Sequence, residues 1–282
     1  MPNTRRIRRR IQSIRNTAQI TRAMQTVAAS RMRRAQEAAL NGRPFAQMAM
    51  RLMATASQKV TDFEHPLLEI RPIRNRCVVV LSTDKGLCGA LNANVFRELT
   101  KFDVQNTQFV AVGKKAAQFL ARTRRNLLAE FTFQERPVFS DAYHVARFVM
   151  NLFIERKTDE VLVLYPRFIN TLRQEPNTLT LLPMSRLWEE VQQQEPLSEF
   201  LFEPNVEAVM DYLLRYFVAF EILQLMHETR ASEHSARMVA MKNATDNANE
   251  LIQELTLTYN KIRQSSITAE LLDNVTAQMA MQ

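Results

Sequence analysis

The chain has 282 residues, 46% of them hydrophobic, which is enough to bury one large core or two modest ones and argues against disorder. Only four glycines occur, Gly42, Gly86, Gly89 and Gly113, leaving little material for phosphate-cradling loops; two cysteines without CxxC spacing, Cys77 and Cys88, argue against a disulfide scaffold or a zinc site. Lys and Arg exceed Asp and Glu by 37 to 29, a net charge of +8 that favours acidic partners, while the longest apolar runs, CVVVL and VLVLY, fall far short of a membrane span.

Residues 1–34 carry ten arginines and no acid, the first being Glu37. An Arg-rich, acid-free start is also how a mitochondrial targeting segment reads, but this pattern runs past a targeting length. Ile7, Ile11, Ile14, Ala18, Ile20, Met24, Val27, Ala28, Met32 and Ala35 recur mostly at three- and four-residue intervals. They predict a helix with a narrow apolar stripe over about residues 4–60. NGRP at 41–44 offers a stop, yet FAQMAMRLMATA continues the composition, so the helix is expected to pass through Pro44.

Between about 67 and 200 the period changes. CVVVLSTDKG, FVAVG and VLVLYPRF are short β-branched runs, separated by helix-like stretches at 92–101, 114–122 and 141–156. This alternation predicts a small α/β domain with a mainly parallel sheet. The polar, proline-marked stretch SRLWEEVQQQEPLSEFLFEPN leads out of it. From Asn205 to Gln282 there is neither proline nor glycine. Met241, Ala244, Ala248, Leu251, Leu255, Tyr259 and Ile262 step by three or four, the mark of a heptad seam on a helix that would extend about 115 Å. The simplest partner for that seam is the N-terminal helix, wound antiparallel. The fold class expected is therefore a long antiparallel coiled coil of the two terminal helices (1–66 and 205–282) with an α/β domain (67–204) inserted between them.

Machinery for chemistry is sparse. LSTDKGLCGALN at 81–92 places Gly86 and Gly89 between a strand and a helix whose N-terminus could face an anion, but it contains neither GxxxxGK[ST] nor GxGxxG and reads as a structural turn. His65, His144, His227 and His234 form no metal motif and read as solvated or interfacial polar groups; His227 and His234, seven apart on a helix, are about 10 Å from each other. No nucleophile or acid–base constellation stands out, so no catalytic, cofactor or metal residue is assigned. The methionines Met24, Met32, Met48, Met50, Met53, Met238 and Met241 read as core filler, or as an adaptable surface for several partners.

Four stretches, ITRAMQTVAASRMRRAQ (20–36), STDKGLCGALN (82–92), ASEHSARMVAMKNATDNANELI (231–252) and YNKIRQSSITAELLDNV (259–275), closely resemble the gamma subunit of F-type ATP synthases, in the same order and over the expected length. Gln25 and Thr26 replace the lysine and methionine usual after the first AM, and Ala90 stands where a second glycine is usual. The resemblance implies a central rotor shaft: a coiled coil inside a ring of alpha and beta subunits, and an α/β (Rossmann-like) domain near the epsilon subunit and the membrane c-ring. It couples proton flow through the c-ring to ATP chemistry at beta. The chain would itself be non-catalytic and cofactor-free, peripheral to the membrane through the complex, at the cytoplasmic face of a bacterial inner membrane or at the mitochondrial inner membrane. The resemblance further places Met24 near a mobile acidic segment of beta, Arg263 and Gln264 against a beta loop, and Leu271 to Gln282 in an apolar sleeve. Two rivals are a coiled-coil nucleic-acid binder, whose affinity would fall steeply with salt, and an α/β enzyme using the loop at 82–92.

Overall fold

A computed structural model describes residues 2–57, 63–193 and 200–280. Residues 58–60 of the predicted first helix, residues 194–199 of the proline-marked exit and the last two residues of the terminal segment lie outside the described residues. The chain divides into two compact units, one of residues 1–28 with 237–282 and the other of residues 29–236.

The larger unit is built on a five-stranded sheet. Its strands are β1 (Arg76–Leu81), β2 (Thr107–Val112), β3 (Leu127–Phe131), β4 (Glu160–Phe168) and β5 (Gln174–Leu182), in the order β3-β2-β1-β4-β5. The first four are parallel and β5 pairs antiparallel with β4. Strand β1, RCVVVL, is apolar at successive positions because both faces are covered. Val78 and Val80, with Phe109, Ala111, Leu162 and Leu164, face a layer made by α2 (Leu91–Leu99) and α3 (Lys114–Arg122). Cys77, Val79 and Leu81, with Val110, Val112, Val161 and Val163, face α4 (Phe139–Ile154) and two long helices. Strands β3 and β5 are absent from the sequence reading. Both are edge strands, a position that tolerates Pro176; β3 alternates between half-buried and exposed residues, and β5 is only partly buried until Leu181 and Leu182. A short helix α5 (Ser185–Gln192) follows β5.

The long helices are α1 (Pro2–Ser57) and α6 (Val206–Ala280). Helix α1 does run through Pro44, as its composition predicts. Within the larger unit, the two pass so closely at Gly42 that a Cβ there would collide with the Gln224 side chain. Three residues on, the Phe45 ring lies 5.3 Å from Phe220 and 5.5 Å from Tyr216. Partner numbers on α6 fall as those on α1 rise, so the pair is antiparallel. Ala49, Met53 and Ala56 of α1 and Met210, Leu214, Val218 and Ile222 of α6 enter the core beneath the sheet, and that burial offsets the hydrogen bond which proline removes from α1.

In the smaller unit the same helices meet along a seam. On α1 it comprises Ile7, Ile11, Ile14, Ala18, Thr21 and Ala28; on α6 it comprises Met241, Thr245, Ala248, Ile252, Leu255, Tyr259 and Ile262. Both keep the alternating three-and-four step of a left-handed coiled coil, with the half-buried Gln25 standing between Thr21 and Ala28. The seam departs from the sequence reading at several positions. Thr245, not Ala244, and Ile252, not Leu251, keep its step on α6, and Ile20 and Val27 fall outside it on α1. A 3.5-residue period fixes these choices, whereas apolarity alone does not. Ala18, Ala28 and Ala248 leave room for close approach, and Thr21 and Thr245 place their hydroxyls 2.7 Å apart inside the seam.

Each threonine also has its own helix's carbonyl within reach, Ala18 at 3.1 Å and Met241 at 2.9 Å. One hydroxyl therefore donates to its own helix and the other across the seam. Thr21→Val or Thr245→Val alone should each cost about 1 kcal/mol by loss of one net hydrogen bond, while the double variant costs less than the sum. Urea unfolding of the four proteins measures this; strict additivity would show that the cross-seam bond contributes nothing.

Candidate functional site

Doubly wound sheets bind ligands at the carboxyl ends of the strands, where the connections diverge, here between β1 and β4. In this chain the backbone donors beside that crevice, at the ends of β1 and β2, are engaged from within. Helix α3 begins after Gly113, whose φ of 110° and contact with the Ser82 carbonyl admit no side chain. Its first three N–H groups are all engaged by the end of β1: Lys114 donates to Asp84 Oδ1 at 3.1 Å, Lys115 to the Thr83 carbonyl at 3.1 Å and Ala116 to Ser82 Oγ at 2.8 Å. Asp84 thus occupies the place at a helix N-terminus where a bound anion would sit. The tempting loop at 82–92 spends its polar groups on the fold; Asn92, for example, donates to Thr83 Oγ1 at 2.7 Å.

The crevice is closed by α6. Arg230 donates to Asp84 Oδ2 at 3.0 Å, to the Gln134 carbonyl at 3.3 Å and to Glu233 Oε2 at 2.6 Å, and its guanidinium carbon lies 4.5 Å from the Phe133 ring centroid. Burial works against the charge, but Glu233 and Asp84 outweigh it and raise the Arg230 pKa. Ser232 donates to the Pro166 carbonyl at 2.7 Å, Ser235 to the Thr171 carbonyl at 2.7 Å, and Glu228 accepts from the Phe168 N–H at 3.0 Å. Sequence reasoning missed this cluster. Its one legible sign was the i, i+3 pair Arg230 and Glu233, which is common on solvated helices.

His144 is exposed, as its solvated reading predicts, whereas His65 and His227 are half-buried and His234 is buried. His234 lies 3.3 Å from Glu135, which also pairs with Arg31 at 2.6 Å. His65 accepts from the Leu67 N–H at 3.2 Å and lies 2.8 Å from Asp211, and the hydrogen bonds replace the water that solvation would have supplied. Against its own burial, His65 and Arg215 hold the Asp211 carboxyl below the ordinary range. Burial pushes the His227 pKa down. Among the described residues, no group of three or more His, Cys, Asp or Glu is arranged to hold a metal ion.

The three residues singled out as partner contacts lie in the smaller unit. Met24 is half-buried beside the seam of α1, and Arg263 and Gln264 are exposed on α6. The register set by Thr21 and Thr245 puts Met24 level with residue 242, so Arg263 stands about 30 Å further along the pair. They form two separate levels. Met24 belongs to a strip with Ile20, 60% exposed, and Val27, 49% exposed, spaced i, i+4, i+7 on one helical face. On α6, Leu257, Ile267, Leu271, Leu272, Val275 and Met279 are likewise exposed. Aliphatic surface at this density marks an interaction surface.

Comparison with known proteins decides the family. A family model described as ATP synthase matches residues 3–281. The ATP synthase gamma chain of Opitutus terrae is 44% identical over 293 aligned residues, covering 99% of each chain, and that of Roseiflexus castenholzii is 45% identical, covering 96% of this chain and 95% of its own. The chain belongs to the ATP synthase gamma-chain family. Its fold is also similar to a chain of the Euglena gracilis mitochondrial ATP synthase rotor (TM-score 0.67, 20% identity, 94% of this chain and 99% of that one). A second likeness is to a chain of the Tetrahymena thermophila mitochondrial central stalk and c-ring (TM-score 0.61, 26% identity, 80% and 99%).

In this gamma chain both cysteines are reduced and buried, and burial raises the Cys77 thiol to about 12. Cys77 is therefore protonated and shielded at any ordinary pH. A thiol-reactive chromophore at pH 8 should leave Cys77 unlabelled in the native chain and label it promptly in denaturant; rapid native labelling would contradict the burial.

Proposed function

We propose that this gamma chain is the central shaft of a rotary ATP synthase, turning inside a ring of alpha and beta subunits and joined through its α/β domain, beside the epsilon subunit, to the membrane c-ring. It couples proton flow through the c-ring to ATP synthesis or hydrolysis at beta and performs no reaction itself. The observation that carries this reading is the uncovered aliphatic surface of the coiled-coil unit. A helix pair has no three-fold symmetry, so in each orientation it presents a different surface to each surrounding beta subunit, and differential contact is what biases a subunit between open and closed states. A rotor must leave every orientation at similar energy. Met24, Ile20 and Val27 suit that better than fixed buried ion pairs, because thioether and aliphatic contacts are adaptable and non-directional.

Segments 1–66 and 205–282 serve as the shaft and 67–204 as the body that reaches the c-ring. The arginines of residues 1–34 face acidic surfaces of neighbouring subunits, and the reading involves no nucleic acid. The engagement of the α3 N-terminus by Asp84, itself paired with Arg230, supports a non-catalytic role. The Opitutus and Roseiflexus relatives are bacterial gamma chains, which supports a place on the cytoplasmic face of the inner membrane, held there by the complex; no described helix is long and apolar enough to cross a membrane.

The test is reconstitution with alpha and beta subunits. The purified chain should hydrolyse no ATP and should restore rotation, seen with a probe on an exposed engineered cysteine, when added to the ring; turnover by the pure chain, or a ring that rotates nothing, counts against the proposal. Met24→Lys should place a cation against beta and lower protons pumped per ATP more than it lowers hydrolysis. Arg263→Ala with Gln264→Ala should reduce turnover through lost ring contacts. Wild-type pumping in the first variant, or wild-type turnover in the second, would remove those residues from the coupling surface.

A further inference from the structure

Torque along a helix is useful only if the helix cannot slip against the body it drives. Most contact between α6 and the sheet's core is apolar, through residues such as Leu214, Val218, Ile222 and Leu225. Apolar contact resists separation but has little direction, so it opposes sliding weakly. Directional contact is concentrated in residues 228–235, where Glu228, Arg230, Ser232 and Ser235 bond to the ends of β1 and β4, the β3–α4 loop and the β4–β5 turn. Arg230 is its centre. Its side chain is 7% exposed and fixed at both ends, to Glu233 on its own helix and to Asp84 on the sheet side. Asp84 is itself held by the Lys114 N–H.

We propose that Arg230 is a positioning residue that locks α6 to the ends of the sheet strands, so that torque carried by α6 enters the α/β domain instead of being lost as slip. This rests on the rotor reading. A buried guanidinium shared between a carboxylate of its own helix and one on the sheet side suits the task, because displacement of α6 keeps the Arg230–Glu233 pair but breaks the bonds to Asp84 and to the Gln134 carbonyl, leaving polar groups unpaired in a largely dry site. The neighbouring serines are small enough to let the helix sit directly on the strand ends and still donate to their carbonyls.

The experiment uses the assembled complex in vesicles, with proton pumping and ATP hydrolysis read in parallel, and amide hydrogen exchange on the free chain. Arg230→Met should lower protons pumped per ATP by more than it lowers hydrolysis. Arg230→Lys, which keeps the charge but not the two-ended fork, should recover part of that ratio; a defect of folding alone would instead lower assembly and both activities together. In Arg230→Met, exchange at the Lys114 and Phe168 amides should speed up about 100-fold, the order expected when a buried ion loses its partner. A wild-type pumping ratio in assembled Arg230→Met, or unchanged exchange at both amides, overturns the lock. If Arg230→Met does not assemble, Asp84→Asn, which keeps the Arg230–Glu233 pair, gives the same reading by the same two outcomes. A wild-type complex that pumps nothing rejects the rotor reading, and exchange on the free chain then decides the lock alone.

Discussion

A guanidinium taken almost entirely out of water has to be matched by charge and by hydrogen bonds, or the site does not form. Arg230 meets most of that condition through Asp84, Glu233, the Gln134 carbonyl and the Phe133 ring, although its buried Nε makes no hydrogen bond, and the seating of α6 on the strand ends depends on it. Asp84 can serve only because α3 starts where Gly113 brings it against the end of β1. The position at which such a sheet would hold a phosphate is thereby given to a carboxylate of the same chain. An α/β fold suited to ligands becomes a mount for a helix.

Helix α6 packs under two regimes. Through residues 206–236 it is embedded in a layered core, and aromatic and aliphatic residues appear on most of its sides. Beyond Arg237 the covered residues follow one seam with an alternation of three and four residues, and Leu257, Ile267, Leu271 and Leu272 outside it are exposed. The absence of glycine and proline from 206 to 280 lets both regimes share one uninterrupted backbone. Stiffness comes from the backbone ladder, and the two kinds of function come from what each length of helix presents sideways.

This division bears on what a gamma chain requires. In the proposed shaft, a surface that meets a ring in several orientations gains from adaptable, weakly directional groups, as Met24 would supply. The surface that must not slip gains from buried, directional ones, of which Arg230 is the clearest. The opposite physical demands fall on residues of opposite chemistry, at different stretches of the same two helices.

The terminal helices, the passage of α1 through Pro44, strands β1, β2 and β4 and the family were legible in the sequence, because apolar period and quoted motifs are local properties of the chain. The edge strands β3 and β5 were not. Most of their length is only partly buried, so they show no long apolar run, and pairing with β2 and β4 makes them strands. Thr245 replaced Ala244 in the seam because register depends on the partner helix, not on which residue is more apolar. Met24, Arg263 and Gln264 came from motif likeness, which gives their places along the chain but not their two separate levels on the helix pair. The Arg230–Asp84 pair spans 146 residues and was invisible in sequence, since a buried ion pair and a solvated arginine are spelled alike until the fold removes the water.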